Sequence, residues 1–191
     1  MKIVNYPHPA LRVKAKPVAA IDAGVQKAAA EMLELMYRHE GLGLAAPQVT
    51  LDYQMIVMNF AGDPDREDLE VVAINPVIAE KKGGLINDRE GCLSFPGLYQ
   101  NVRRYKTVVV KYFDLKGEER EMVCHDLPAR VWQHEIDHLQ GELFIDRMGS
   151  LGLHRSQRDL DKYVADFEKA KKKGDLPPGL EAAVGVRHVL S

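Results

Sequence analysis

The segment best suited to metal binding and catalysis is His134-Glu135-Ile136-Asp137-His138. Two histidines four positions apart lie on the same face of an α-helix, so both imidazoles can reach one metal ion. Leu127 and Val131 precede His134 on that face, which predicts that the face points inward. Glu135 lies beside it, where its carboxylate can take a proton from a metal-bound water and return it to a leaving nitrogen.

A catalytic site of this kind normally takes three protein ligands and one water, so a third ligand must lie elsewhere in the chain. Cys92 is the sharpest candidate, because a glycine precedes it, a Pro-Gly turn follows it, and a thiolate binds borderline ions strongly. His154 and Glu142 are formal alternatives. The other cysteine, Cys124, lies in a strand-like run and is interpreted as a buried, inert thiol. A disulfide between the two is disfavoured in a cytoplasmic chain.

A third segment, Gly41-Leu42-Gly43-Leu44-Ala45-Ala46-Pro47-Gln48, combines small residues with one side-chain amide. Its small residues let another chain approach the backbone closely, and Gln48 offers an N–H₂ donor. From these features alone, the segment is interpreted as a helix terminator followed by a tightly packed strand.

Three helices are predicted to position these segments. Asp22 caps the first, which runs from about residue 23 to residue 40, where a glycine ends it. Asp126 caps the second, over 127–140, which carries both histidines and closes at a glycine. The third is amphipathic and spans 156–173. The buried faces are predicted to contain Val25, Ala29, Met32 and Met36 in the first helix, and Leu160, Val164 and Phe167 in the third.

Strand-like runs fill much of the chain between the first two helices. Four strands are predicted, at 54–60, 71–82, 106–114 and 119–125. Pro76 marks a bulge or an edge, and Lys116-Gly117 marks a hairpin turn. Residues 1–21 are predicted to be extended, because their prolines block a helix. Helices and antiparallel strands without regular alternation indicate an α+β fold, with the strands packed around a central metal-binding helix.

The composition excludes several classes of protein. With 191 residues, 46% hydrophobic and 28% charged, the chain suits one folded domain rather than a disordered chain. A formal net charge of -2 argues against a dedicated nucleic-acid-binding protein, and no specific DNA partner is expected. No secretory signal is evident, and no apolar run approaches the ~20 residues that span a bilayer. We therefore predict a cytoplasmic protein without a membrane partner; an organellar protein after removal of its transit peptide would look the same.

Taken together, the three segments resemble the peptide deformylase family. Its G-apolar-G-apolar-A-A-x-Q, E-G-C-apolar-S and H-E-apolar-D-H motifs stand unbroken, in the family's order, at 41–48, 90–94 and 134–138. Each motif is moderately specific, and the combination is very specific. The similarity also covers 6–18 and 102–117, and 128–133 resembles the branch that includes organellar members. It spans about residues 1–150 in all.

The resemblance implies a metal-dependent hydrolase that removes the formyl group from formyl-methionyl nascent polypeptides. Glu135 would be the general acid/base, and the Gln48 side chain and the Leu93 backbone N–H would stabilise the oxyanion. Fe²⁺ would be the natural metal, with Zn²⁺, Ni²⁺ or Co²⁺ able to occupy the same site. The implied metal ligands are Cys92, His134 and His138.

The resemblance also assigns residues around the metal. Glu90 and Asp137 would support the ligands from outside, with Asp137 orienting a ligand histidine. Arg130 stands where the family often has an apolar residue, and a side chain that points to solvent is expected there. An apolar pocket for the methionine side chain is expected from Leu42, Gly43, Leu127 and Val131.

Residues 1–174 are predicted to form the catalytic domain, and 175–191 an irregular tail. The lysines at 169 and 171–173 give the third helix a basic end, which either suits the helix macrodipole or attracts ribosomal RNA weakly. Two alternative functions remain open. One is a metallopeptidase or amidase with a different substrate. The other is a metal-binding relative without catalysis that binds nascent N-termini or ribosomes.

Overall fold

One antiparallel sheet organises the part of the chain that the computed structural model describes, residues 1–175. Its strands are β1 Gly43–Ala45, β2 Met55–Asn59, β3 Glu70–Gly91, β4 Tyr99–Phe113 and β5 Glu119–His125. They lie in the sheet in the order in which they occur in the sequence, so each strand pairs with its neighbours along the chain. The predicted tail, apart from Asp175, lies outside the described residues.

Three helices accompany the sheet: α1 Ala23–Arg38, α2 Asp126–Leu139 and α3 Ser150–Lys173. Short 3-10 turns occur at Pro9–Arg12, Ala46–Val49, Glu67–Leu69 and Phe144–Arg147. The first of these corrects the prediction that residues 1–21 are extended throughout, because proline is tolerated in the first turn of a helix. The predicted α+β class is confirmed. None of the described helices has both the length and the apolar character that crossing a membrane requires.

Helix α1 follows its sequence pattern closely at its start. The Asp22 carboxylate accepts a hydrogen bond from the Val25 N–H at 2.9 Å, and all four predicted stripe residues are buried. The helix ends at Arg38, and the chain then reverses at Glu40, which has a φ of 55°. The helix therefore ends two residues before the predicted residue 40, and Glu40 rather than Gly41 takes the left-handed conformation. The Gly41 N–H still donates to the Met36 carbonyl of the last turn, at 2.9 Å.

Strand β3 is much longer than the predicted 71–82. Pro76 lies at a register shift between Ile74 and Val77, as predicted, and the strand then continues to Gly91. Sequence pattern misses this continuation because residues 79–89 are mostly polar and exposed, with Gly83-Gly84 at a further shift in register. The long strand therefore places Glu90 two residues before Cys92, at the start of the loop that carries this cysteine.

Helix α2 packs its apolar residues against the sheet, in a cluster that includes Trp132, Val108 and Val110. The predicted Asp126 cap was wrong: His125 is the N-cap residue, without a capping side-chain bond, and Asp126 lies in the first turn with a φ of 51°. Gly141 follows the helix with a φ of 74°, and a Cβ there would lie 2.6 Å from the Arg12 carbonyl oxygen. Only glycine fits that backbone crossing.

Helix α3 begins at Ser150, before the predicted start, and buries little of its surface. Ser156 and Leu160 are its buried residues, while Val164 is 41% exposed, so the predicted apolar face was wrong at that position. Tyr163 lies on this face instead and packs edge-on against Phe95, with 5.8 Å between ring centroids. The helix is therefore attached along a narrow stripe.

Candidate active site

The structure brings the three predicted metal ligands together from two elements. Helix α2 supplies His134 and His138 one turn apart, and the loop that leaves β3 supplies Cys92. The Cys92 Sγ lies 3.3 Å from the His138 Nε2, which lies 3.2 Å from the His134 Nε2. All three ligand atoms lie within 4.8 Å of one another. His154 and Glu142, the formal alternatives, are not part of this group.

These donors fit a bound metal ion. A thiolate and two imidazole nitrogens are a ligand set that zinc and other first-row divalent ions accept, and a fourth position is left for water or substrate. Two imidazole nitrogens at this separation cannot both carry a proton on the facing side without repulsion, whereas a cation between them satisfies both lone pairs. The ligand side chains are mostly shielded from solvent, with His134 7% and His138 1% exposed.

The Glu90 carboxylate contacts one of the predicted ligand histidines. Its Oε1 lies 2.6 Å from the His134 Nδ1, which directs the Nε2 of that ring toward the other ligands. Burial opposes ionisation, but the hydrogen bonds and charges of His134 and Arg104 hold the pKa of Glu90 well below its ordinary value. The expectation for Asp137 was wrong, because its carboxylate binds the guanidinium groups of Arg104 and Arg147 instead of a histidine.

The Glu135 carboxylate is buried next to the ligands without a fixed partner. Its side chain lines the cavity described below, and its Oε2 accepts no hydrogen bond from the described residues. A Cβ at Gly43 would lie 2.7 Å from its Oε1, so the glycine of β1 makes room for this side chain. Burial raises the pKa of Glu135 to about 7. A carboxylate so placed can exchange a proton with a molecule bound in the cavity.

Two hydrogen-bond donors flank the cysteine. The Gln48 Oε1 accepts a bond from the Ala45 N–H at 2.8 Å, which turns the Nε2 toward the Cys92 Sγ, 3.6 Å away, and the Ser94 Oγ, 3.2 Å away. The backbone N–H of Leu93 donates to no acceptor among residues 1–175. Both groups can therefore donate to an oxygen that is bound beside the cysteine.

A cavity of about 400 Å³ opens above these groups. Two of its lining residues are Arg89 and Tyr99, and the Arg89 guanidinium lies 4.7 Å from the centre of the Tyr99 ring, a pair that the sequence did not indicate. Among its lining residues are the four that were predicted to receive a methionine side chain: Leu42, Gly43, Leu127 and Val131.

Arg130 was expected to point to solvent, and this was wrong. It is 6% exposed and borders the cavity. Its Nη1 donates to the Glu90 Oε2 at 2.9 Å and to the Val102 carbonyl at 3.0 Å. Its Nη2 donates to the Ile86 carbonyl at 3.2 Å. No periodicity in the sequence signals a buried arginine, because its acceptors lie far away along the chain.

Cys124, unlike Cys92, lies away from the two histidines and among apolar side chains. It is 4% exposed on β5 and lies in the apolar cluster with Trp132. Burial raises the pKa of its thiol. It is not part of the ligand group, in keeping with its interpretation as an inert thiol.

An α+β fold that holds a Cys-His-His donor set and a free carboxylate at one cavity has the organisation of a metal-dependent hydrolase. The sequence model of the polypeptide deformylase family matches residues 1–153. The chain belongs to the peptide deformylase family.

Relatives from bacteria and plants agree with this assignment. A peptide deformylase from Rhodopirellula baltica is 43% identical over 178 residues, which cover 92% of this chain and 87% of that protein. The chloroplastic/mitochondrial peptide deformylase 1B of Arabidopsis thaliana is 41% identical over 94% of this chain, which spans 63% of that protein's length.

Solved structures agree as well. The crystal structure of Arabidopsis thaliana peptide deformylase 1B with an inhibitor superposes with a TM-score of 0.84 at 41% identity, covering 93% of this chain and 96% of that one. A Plasmodium falciparum peptide deformylase gives a TM-score of 0.85 at 35% identity, over 88% of this chain and 98% of that one.

Proposed function

We propose that this chain hydrolyses the N-terminal formyl group of formyl-methionyl nascent polypeptides, and that Cys92, His134 and His138 hold its metal. The observation that carries the proposal is the convergence of one thiol and two imidazole nitrogens within 4.8 Å, beside Glu135, whose Oε2 has no hydrogen-bond partner among residues 1–175. Membership of the deformylase family supports the reaction, and the donor set supports a divalent metal ion.

A divalent ion in this site would supply Lewis acidity, which polarises the formyl carbonyl and makes a water molecule more acidic. We propose Fe²⁺ as the natural metal. Zn²⁺, Ni²⁺ and Co²⁺ fit the same donors, because thiolate and imidazole bind all of these ions.

Glu135 moves the proton. Its carboxylate takes a proton from the attacking water as the water oxygen bonds to the formyl carbon. It then gives a proton to the amide nitrogen as the C–N bond breaks, which releases formate and a free α-amine. The absence of a described partner at Oε2 supports this role, since nothing competes with the water for that oxygen.

Gln48 and Leu93 stabilise the charge that develops on the former carbonyl oxygen. The Gln48 Nε2 lies 3.6 Å from the Cys92 Sγ, and the Leu93 N–H belongs to the residue that follows the cysteine. Each such donor is typically worth about 3 kcal/mol in the transition state. The Gln48 amide is held by the Ala45 N–H, so it needs little reorganisation to act.

The cavity supports recognition of methionine. Leu42, Leu127 and Val131 give it apolar walls that suit an unbranched thioether side chain. Strand β1 is the first strand of the sheet and pairs on one side with β2, so an extended peptide can add to its other edge. We propose that the nascent chain binds in this way, with its formyl group toward the metal.

A direct assay compares three peptides that differ only at the N-terminus. The metal-loaded protein should release formate from formyl-Met-Ala-Ser. We expect little or no product from acetyl-Met-Ala-Ser, which is larger by a methyl group beside the metal, and no cleavage of Met-Ala-Ser. Cleavage of the unblocked peptide would favour a metallopeptidase. A loaded protein that turns over none of the three would favour a non-catalytic relative.

We propose further that residues 1–174 form one catalytic domain that works in the cytoplasm, near ribosomes. Packing of Tyr163 on Phe95 supports the inclusion of α3, because Phe95 follows the metal-binding loop. The lysines at 169 and 171–173 are exposed in the last turns of α3. Four positive charges there can attract the phosphates of ribosomal RNA, weakly and in a salt-dependent manner.

A further inference from the structure

Glu90 has no free acceptor position. Its Oε1 lies 2.7 Å from the Arg104 Nη2 and 2.6 Å from the His134 Nδ1. Its Oε2 accepts from the Arg104 Nε at 3.1 Å and from the Arg130 Nη1 at 2.9 Å. A carboxylate offers about four acceptor sites, so these contacts determine both its position and its rotation. The position of Glu90 in turn determines the orientation of the His134 ring.

Two of these four contacts come from a single helix face. Arg130 and His134 are four residues apart on α2, so Glu90 is held by consecutive turns of one helix. Arg130 contacts Oε2, and His134 contacts Oε1. Because a carboxylate is rigid, holding one oxygen limits the movement of the other.

Arg130 also holds the strand that carries Glu90. Strand β2 pairs with β3 only over residues 70–74, so the distal part of β3 pairs with β4 alone. Arg130 donates there to the Ile86 carbonyl of β3 and to the Val102 carbonyl of β4. A planar guanidinium can make these bonds and the Glu90 bond at the same time, whereas a single ammonium group cannot match that geometry.

Arg104 does not make this contact redundant. Its remaining Nη1 pairs with Asp137, so Arg104 is shared between two carboxylates. Asp137 in turn pairs with the more exposed Arg147. Without Arg130, Arg104 would be the one arginine left to orient Glu90 against His134, and a second carboxylate also attracts Arg104.

We propose that Arg130 is a positioning residue for the metal centre: it fixes Glu90 and the distal part of β3 against α2, so that the Nε2 of His134 faces the other ligands. This inference rests on the proposed ligand set. Its direct consequence is tighter metal binding, since partners that orient a ligand typically contribute ~10–100-fold to metal affinity.

The test measures the Zn²⁺ dissociation constant of each protein by competition with a chromophoric chelator. Arg130→Met keeps much of the side-chain length and removes the donors. We expect its constant to rise by at least ~10-fold. Arg120→Met is the matched control, because Arg120 also pairs with carboxylates but lies on the surface near the start of β5. Its constant should stay within ~2-fold of wild type, as surface ion pairs contribute little.

A double-mutant cycle separates positioning of Glu90 from a general loosening of the fold. In a Glu90→Gln background, which removes the charged acceptor, Arg130→Met should raise the Zn²⁺ dissociation constant much less than in wild type. Equal effects in the two backgrounds would overturn the proposal. So would an Arg130→Met protein that is folded by circular dichroism and binds Zn²⁺ as tightly as wild type.

A third variant, Arg130→Lys, tests the inference if Arg130→Met does not fold. Arg130→Lys keeps the charge but cannot make the three contacts together, and its dissociation constant should rise by at least ~3-fold. A wild-type value would contradict the inference. Failure of the wild-type protein to bind one Zn²⁺ per chain would instead contradict the proposed ligand set, so the two failures are distinguishable.

Discussion

Helices α2 and α3 both carry many charged and polar side chains, yet they place them in opposite surroundings. In α2, five polar residues are buried, namely Arg130, Gln133, His134, Glu135 and His138. In α3, Ser156 is the one buried polar residue, and the lysines, arginines and acids face solvent. The sequence pattern is amphipathic in both cases.

The difference teaches where function resides in this fold. Burying a charged group costs free energy unless it has a partner or a ligand, so each buried polar residue of α2 requires an explanation. Arg130 and His134 find theirs in Glu90, and Gln133 in the backbone of Tyr105. The Glu135 Oε2 and the His138 Nδ1 are buried and have no hydrogen-bond partner among the described residues. We interpret α2 as the helix that carries the metal-binding and catalytic residues, and α3 as a helix that packs against the outside of the domain.

The largest expected difference is between replacing a histidine of α2 and replacing a histidine of α3. His138→Ala should abolish metal retention and activity, because a catalytic site of this kind needs three protein ligands. His154→Ala, at an exposed position of α3, should leave both unchanged. Metal per chain and formate release measure the two outcomes. A His154 variant that loses metal would break the comparison between the helices.

Glu135→Gln should separate chemistry from metal binding. The amide keeps the shape of the side chain but cannot carry the proton, so turnover should fall by at least ~10²-fold while metal content stays near wild type. Glu168→Gln, on the exposed surface of α3, is the matched control and should have wild-type kinetics. Activity of the Glu135 variant within a few-fold of wild type would mean that another group moves the proton.

Gln48 and Gln133 sharpen the comparison, because both are buried amides but only one borders the cysteine. Gln48→Leu should lower kcat by ~10²-fold through loss of an oxyanion donor. Gln133→Leu removes bonds to the Tyr105 backbone and should lower the melting temperature, with a nearly unchanged kcat for the folded enzyme. Equal losses of kcat in the two folded variants would count against the assignment of Gln48.

The smallest effect on catalysis is expected in α3. Reversing the charges at 169 and 171–173 to glutamate should leave turnover of a short formyl peptide unchanged, because these residues lie outside the cavity. Weak co-sedimentation with ribosomes at low salt should be lost. If the wild-type and reversed proteins sediment alike, the lysines only complement the helix macrodipole.

Local patterns in the sequence were sufficient for the parts of the site that lie within one element. The four-residue spacing of His134 and His138, with Val131 before them, predicts an inward-facing pair on a helix. Leu127 was wrongly placed on this inward face, because it is 49% exposed in the first turn of α2. The Asp22 cap and the stripe of α1 follow from equally local chemistry. These predictions need no knowledge of distant contacts.

The parts that sequence reasoning missed depend on partners far away along the chain. Arg130 is buried because Glu90, Val102 and Ile86 surround it, and its own sequence neighbours give no sign of this. Asp137 was expected to orient a ligand histidine, but its carboxylate binds Arg104 and Arg147, and it is Glu90 of β3 that contacts the His134 Nδ1. The distal part of β3 escaped notice because exposed polar residues on an edge carry little hydrophobic pattern.

The central claim is that one buried helix and one cysteine loop together hold the metal. The most direct measurement is the metal content per chain of Cys92→Ala and of Cys124→Ala, both purified under identical anaerobic conditions. We predict that the Cys92 variant retains essentially no metal, and that the Cys124 variant, whose thiol lies in the apolar cluster, retains the wild-type amount. Full metal occupancy in the Cys92 variant would contradict the account.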